Sequence, residues 1–390
     1  MVFDMRDFGV LSLCGICRYL PIRLRRKFDV DMFSVNVINT LRKHGLIKLQ
    51  SDFSGYKLTY EGRQVLAEMG YTFPEGAKTD IERNAYKRKL KIALWNIALH
   101  LAGIDIWGDN VYHLGSKDVG YVSSLMMRSD DNKKVLAATR FLGVLRIYDT
   151  AYIPYFLQDE TEKIQPAHER STYTALVDSI NGVREIKLIL AGNSLEELWN
   201  SLNASYQGKP STSGRKCFDV ALEELGSDYL LVPLNHHGSL QMNVMKLRSY
   251  RERLAKAVGC STEKPSPLNE CDGILNGEPC IIAVDFDVKR ILRAIKQVQR
   301  YDGKITSLIC CFPFQKTVMR NFTLKYGIKN VKVRAINENS LKTAFPEMNI
   351  DFSPLKPYTN KEGLTIDASD GKISKKDIEL LEDCEDISED

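Results

Sequence analysis

GLIKLQSDFSGYKLTYEGRQVL, residues 45–66, reads as two short strands around a turn, followed at once by a helix. Leu46–Leu49 and Tyr56–Thr59 are strand-like, the QSDFSG between them carries turn chemistry at Ser54-Gly55, and Glu61-Gly62-Arg63 opens a helix containing Val65 and Leu66. Three helices are expected before the ribbon. DFGVLSLCGICRYL (7–20) places Phe8, Leu11, Leu13, Ile16 and Leu20 at spacings that suit a buried helix. Pro21 then suits the first turn of a second helix through IRLRRKF, and a third runs from an Asp31 N-cap to a terminating Gly45. In the third helix Val35, Ile38 and Leu41 form the buried face, which turns Asn36, Asn39, Thr40 and Lys43 outward with Ser34 and Arg42 at the margins. Those polar side chains are the types that read base edges or grip phosphate.

Three helices, a hairpin and a closing helix make a winged helix-turn-helix. The run GLI, spacer, YKLTYEGRQVL resembles the wing and following helix of MarR-like and PadR-like domains, in which "LTxxGRxxL" closes the wing. That resemblance implies double-stranded DNA as partner. The third helix would enter a major groove, and the ribbon would lie along the backbone with Lys48 and Lys57 near phosphate. Arg23, Arg25, Arg26 and Lys27 add four cations on the second helix. The alternative is a winged helix used as a protein-docking module.

Charge is distributed to match. The net +4 of the 390-residue chain conceals 17 Lys/Arg against 10 Asp/Glu in residues 1–100 and 3 against 10 in residues 367–390. A basic start beside an acidic tail suggests a polyanion partner at one end. A hydrophobic content of 44% supports two or three domains with a proper core. MVFDMRDFG lacks the basic region of a signal peptide, and no apolar run approaches the roughly 18 residues of a membrane span, so no membrane partner is expected. Nine scattered cysteines, an odd number, read as reduced thiols of a cytoplasmic protein.

The expected organisation is a winged helix-turn-helix over 1–75, a linker helix within 76–105, an α/β domain over 106–355 and an acidic tail over 356–390. The helix DIERNAYKRKLKIALWNIALHLAG (80–103) has a basic first half (Arg83, Lys87, Arg88, Lys89, Lys91) and an apolar second half with Trp95, Ile97 and Leu101. It should dock the two domains or form the seam of a homodimer, which would suit a palindromic site. Strands are expected at 120–127, 141–148, 151–156, 186–190, 229–233, 280–285, 306–312 and 330–335. Helices are expected at 171–180, 194–203, 240–258, 288–300 and 315–325. Such alternation is that of a partly parallel α/β sheet.

The chemical candidates cluster in CDGILNGEPCIIAVDFDVK, residues 271–289. Asp272 falls in a turn, and Asp285 and Asp287 should close a buried strand with both side chains on one face. Carboxylates gathered at strand ends can hold Mg²⁺ or Mn²⁺ for phosphodiester chemistry, because hard cations take oxygen ligands. The bland reading is that these acids cap a strand end and a helix N-terminus.

Here the chain resembles the replication-relaxation family of plasmids and conjugative elements, which joins a winged helix to a domain similar to the PD-(D/E)xK nucleases. The winged helix, the stretch from YVSS to KKVLAATRFLGVLRIYDTAYIPYF and the DG…VDFD segment carry the resemblance. It implies Asp272 as the first acid and Asp285 as the second. The lysine position is Asp287, which cannot supply a cation, and Lys289 is the nearest substitute. The resemblance thus implies a DNA-binding accessory protein with no cofactor and a nuclease-like scaffold without turnover. A metal-dependent endonuclease using Asp272, Asp285 and Lys289 is the alternative. A third reading is a scaffold that recruits a relaxase or replication initiator through KKDIELLEDCEDISED, with Ile378 and Leu381 as a small apolar face.

Other candidates are plainer. Cys14 and Cys17 have half-zinc-site spacing but no second pair, and read as small core residues. His236-His237 and the GKPSTSGRK stretch (208–216) read as loops. Phosphate-loop, dinucleotide, zinc-protease and serine-hydrolase signatures are missing from the sequence.

Overall fold

A computed structural model of the chain describes residues 5–22, 24–28, 30–50, 55–71, 73, 83–127, 136, 139–157, 163–203, 216–348, 358–359 and 365–366. The Ser54 turn, the 74–82 joint, Arg23 and most of GKPSTSGRK and of the acidic tail lie outside the described residues, as do the side chains of Arg25, Arg26 and Arg83.

The N-terminal module runs α1 (Met5–Cys17), β1 (Leu20–Pro21), α2 (Leu24–Phe28), a 3₁₀ turn at Asp31–Phe33, α3 (Val35–Lys43), β2 (Ile47–Leu49), β3 (Gly55–Leu58) and α4 (Tyr60–Glu68). Its three strands form one antiparallel sheet in the order β1-β3-β2. Pro21 therefore does not open a helix: Leu20 and Pro21 pair with Tyr56 and Gly55. An edge strand tolerates proline because the missing N–H is not needed there. Thr59 caps α4 by accepting from the Gly62 N–H at 3.0 Å, and its hydroxyl reaches back to the Leu46 carbonyl at 3.1 Å. The Thr-x-x-Gly spacing has a packing reason: a Cβ on Gly62 would stand 2.1 Å from the Leu46 carbonyl oxygen.

Helix α5 (Arg83–Leu101) leads to β4 (Val119–Ser123), α6 (Ser124–Met127), β5 (Gly143–Ile147), β6 (Thr150–Phe156), β7 (Lys163–Ile164), α7 (Pro166–Asp178), β8 (Glu185–Gly192), α8 (Leu195–Asn203), β9 (Lys216–Cys217), α9 (Phe218–Leu225) and β10 (Asp228–Pro233). The principal sheet is mixed, ordered β10-β8-β6-β5-β4, with β6, β8 and β10 parallel and the β4-β5-β6 side antiparallel. The short strands β7 and β9 pair separately.

The chain continues with α10 (His236–Met245), α11 (Tyr250–Ala257), β11 (Gly273–Leu275), β12 (Glu278–Ile282), α12 (Val288–Tyr301), β13 (Ser307–Cys311), α13 (Lys316–Lys325), β14 (Val331–Ala335) and α14 (Glu338–Ala344). A second sheet, β11-β12-β13-β14, has its last three strands parallel. The two sheets adjoin where Leu230 of β10 bridges Asp287. The mixed α/β class with parallel strands is as expected. The helix expected at 240–258 is instead two, broken where Ser249 takes φ +55°.

Burial explains why the N-terminal module and the sheet hold together. Trp95, Ile97 and Leu99 of α5 are fully buried in one core shared by Leu11 and Leu41 on one side and Leu145, Ile189 and Leu230 on the other. The chain divides after Phe352 into two units. In the second, β15 (Tyr358–Thr359) and β16 (Thr365–Ile366) form an antiparallel ribbon.

Gly62→Ala should lower stability by about 1–3 kcal/mol through overpacking against Leu46. Urea unfolding checks this, and an unchanged midpoint would mean that the α4 start can shift away at no cost.

Candidate functional site

Helix α3 is capped by Ser34, whose hydroxyl accepts from the Val37 N–H at 3.5 Å. Ser34 thus has a local structural task at the start of the helix. The buried positions are Val37 and Leu41, 5% and 0% exposed, with Ile38 half-buried. Val35, expected inside, is 60% exposed. The helix is rotated relative to the expectation because the i, i+4 pair Val37/Leu41 meets the core. Asn36, Asn39 and Lys43 are exposed, while Thr40 and Arg42 are half-buried at the margins.

Lys48 and Lys57 stand directly opposite each other in the β2–β3 pair. Lys48 is exposed and Lys57 half-buried, and neither forms an ion pair among the described residues. Like charges facing each other across a ladder are unfavourable on their own. Lys27 behaves differently: its ammonium donates to Asn193 Oδ1 at 2.7 Å, and burial pushes its pKa down to about 8 against the pull of Glu197. It serves the junction of α2 with the β8–α8 loop, not a ligand.

The expected carboxylates do come together, in a different setting. Strand β12 ends at Ile282, and Phe286 takes φ +51°, so Asp285 and Asp287 sit in a strand-to-helix turn rather than on one face of a strand. Side-chain amides hold that turn: Gln241 Nε2 donates to the Asp285 carbonyl at 2.9 Å, and Gln315 Nε2 to the Val284 carbonyl at 2.8 Å. Asp287 caps α12, accepting from the Arg290 N–H at 3.0 Å.

Each acid already has a cation. Arg290, itself buried, lies 3.2 Å from Asp272 Oδ2 and 3.3 Å from Asp285 Oδ1, and also donates to the Ile282 carbonyl. Lys187 of β8 lies 2.8 Å from Asp287 Oδ2. The Tyr250 hydroxyl donates to Asp285 Oδ2 at 2.7 Å, and Arg251 Nε approaches the same oxygen at 3.8 Å. Asp285 and Asp287 are 2% and 1% exposed. Burial alone would raise the Asp285 carboxyl; Arg290, Arg251 and Tyr250 outweigh it and hold it at about 2. Lys187 is likewise lowered by burial but raised on balance, chiefly by Asp287.

Lys289 is not part of this cluster: its ammonium donates to the Gly226 carbonyl at 3.1 Å. The basic partners are Arg290 and Lys187, neither singled out from the sequence. A lysine inside the apolar run IKLILAG was the available signal for Lys187, since buried charges are paired. Among the described residues no group of three or more His, Cys, Asp or Glu side chains is placed to hold a metal ion. The three aspartates converge on cations of the protein, which does not fit the expected Mg²⁺ or Mn²⁺ cage.

A cleft of about 550 Å³ opens beside the network, walled by the 147–150 turn, the start of α11 and residues 262–272, with Asp272, Tyr250 and Arg251 in its lining. Other candidates are structural. Cys14 and Cys17 are buried, and desolvation raises both thiols, Cys17 to about 12. His237 stacks on Phe314 at 4.3 Å, and burial with neighbouring His236 lowers it to about 3. Among the described residues no helix is long and apolar enough to cross a membrane. Comparison with protein-family models, curated proteins and solved structures finds no match.

Arg290→Met takes the nearest guanidinium from the buried Asp285 and from the part-buried Asp272, and should cost about 3–5 kcal/mol in urea unfolding. Adding Asp285→Asn should restore part of the loss, and a cost below about 1 kcal/mol would show that water reaches the acids. The acid limb follows by linkage. With a folded pKa of about 2 against an ordinary 3.8, the unfolded chain takes the Asp285 proton first as pH falls. The group's contribution is therefore full above about pH 5 and drains away towards pH 2. Acid titration of stability should be flatter in Asp285→Asn than in the wild type.

Proposed function

We propose that this chain is a double-stranded DNA-binding protein whose N-terminal module acts as a winged helix-turn-helix, with the β2–β3 ribbon as its wing. The observation that carries the reading is the opposed Lys48/Lys57 pair on the ribbon, beside an α3 face presenting Asn36, Asn39 and Lys43. A phosphate backbone turns the repulsion of two facing ammonium groups into two attractions. The net +7 of residues 1–100 supplies a long-range field of the same sign.

The α/β part is read as a PD-(D/E)xK-like scaffold without turnover, because its acids are neutralised by Arg290 and Lys187. The resemblance of the motifs to the replication-relaxation family extends the proposal to a cytoplasmic accessory protein of a plasmid or conjugative element, working beside a relaxase or replication initiator. A metal-dependent endonuclease is the second reading. One observation favours it: the cleft reaches Asp272 and Arg251 from solvent. It requires Arg290 to yield its carboxylates to Mg²⁺ or Mn²⁺. Nicking of supercoiled plasmid with either ion, lost in Asp285→Asn, would replace the scaffold reading.

Fluorescence anisotropy on a labelled duplex, titrated across salt, tests the DNA reading. Lys48→Ala and Lys57→Ala should each weaken binding and make the slope of log K against log salt shallower by about 0.9 per lost phosphate contact. No binding by the wild type at low salt would overturn the proposal and make the ribbon a protein-docking surface.

A further inference from the structure

Successive residues of a helix are rotated by about 100°, so positions i, i+4 and i+8 run along one line. On α3 that line is Val35, Asn39 and Lys43, with Asn36 flanking it, and all four are exposed. The buried pair Val37/Leu41 lies on the opposite side. The outward line is therefore ordered by chemistry: an apolar β-branched group in the first turn, amides at the first and second turns, and a cation in the last.

The pattern is selective among bases. In a major groove thymine offers a methyl group, which takes apolar contact, and adenine offers the N7 acceptor and N6 donor, which an asparagine amide satisfies with two hydrogen bonds. Guanine presents two acceptors and is matched by Arg or Lys. The first two turns of the exposed line hold neither; Lys43 is in the last turn, where a phosphate contact suits it. Val35 has no partner chemistry on a phosphate, whereas a thymine methyl matches it.

We infer that α3 reads a site containing adenine and thymine, with Val35 contacting a thymine methyl and Asn36 and Asn39 contacting adenine edges. This specificity rests on the DNA-binding reading above, and Val35, Asn36 and Asn39 determine it, while Lys43, Lys48 and Lys57 supply affinity that is blind to sequence.

The test is selection by the full chain from a duplex library with a randomised core at low salt, followed by anisotropy on the enriched duplex. Cores rich in A·T steps are expected. Replacing thymine by deoxyuridine at the contacted position should weaken wild-type binding about 4-fold, the worth of one buried methyl, and should weaken Val35→Ala by less, since alanine keeps only a shorter apolar group. Asn39→Ala should lose about 5-fold or more on the selected duplex while keeping its affinity for unselected DNA. Because these side chains are exposed, melting temperature should not move. Enrichment of G·C cores, or a thymine-to-uracil effect undiminished in Val35→Ala, would overturn the inference and leave DNA binding standing. A library not retained at low salt would overturn both.

Discussion

The rest of the structure depends on the burial of α5. Most of its second half is out of water: Trp95, Ile97, Ala98 and Leu99 are all fully buried, which two partners are needed to achieve, while Leu94, His100 and Leu101 are half-buried. One partner is the N-terminal module, through α1 and β1; the other is the principal sheet with α10. A helix apolar around its circumference acts as a shared core rather than a tether. The module that presents α3 and the ribbon is consequently fixed to the α/β part within the first unit, and Lys27 on Asn193 adds a directional bond across the same junction.

Charge is sorted by the same packing. Removing Asp285 and Asp287 from water, and Asp272 in part, is tolerable only with compensation, since unpaired buried charge costs several kcal/mol. Arg290 supplies two contacts, Lys187 one, and Arg251 with Tyr250 completes the Asp285 oxygens. These partners come from β8, α11 and α12, so the network ties the two sheets together where β10 meets the 285–287 turn. A carboxylate held at about 2 by protein cations is committed to them at neutral pH.

The alternation of strands and helices after residue 110 was legible because parallel central strands are continuous apolar runs and their helices have clear periodicity. The ribbon was legible from turn residues and the Thr59-x-x-Gly62 spacing. Misread points have local physical causes. Pro21 looked like a helix start because proline suits both a first turn and an edge strand, and only the pairing with Gly55 decides between them. Val35 looked internal because Val35/Ile38/Leu41 and Val37/Leu41 are both helical spacings, and tertiary contact selected the second. Asp285 and Asp287 looked like strand partners because period two holds only while the strand lasts, and Phe286 breaks it. The cations of the network come from Lys187, 100 positions before Asp287, from Arg251 of α11 and from Arg290 of α12, a convergence that no local pattern encodes.

The described cations divide into those that serve the fold and those left outside it. Lys27, Lys187 and Arg290 are each turned inward onto an amide, carboxylate or carbonyl, and Arg146 of β5 donates to the Leu114 carbonyl at 2.6 Å. Lys43 and Lys48 are exposed and Lys57 is half-buried, and none of the three forms an ion pair among the described residues, although lysines facing each other on a ribbon would gain from one. Solubility does not require cations to be placed opposite one another; mixed signs would serve it better. On the proposed reading, one polyanion would satisfy both the facing pair on the ribbon and the terminal Lys43 of α3. That economy is the physical argument for nucleic acid over a protein surface, whose acidic groups would have to be spaced to match.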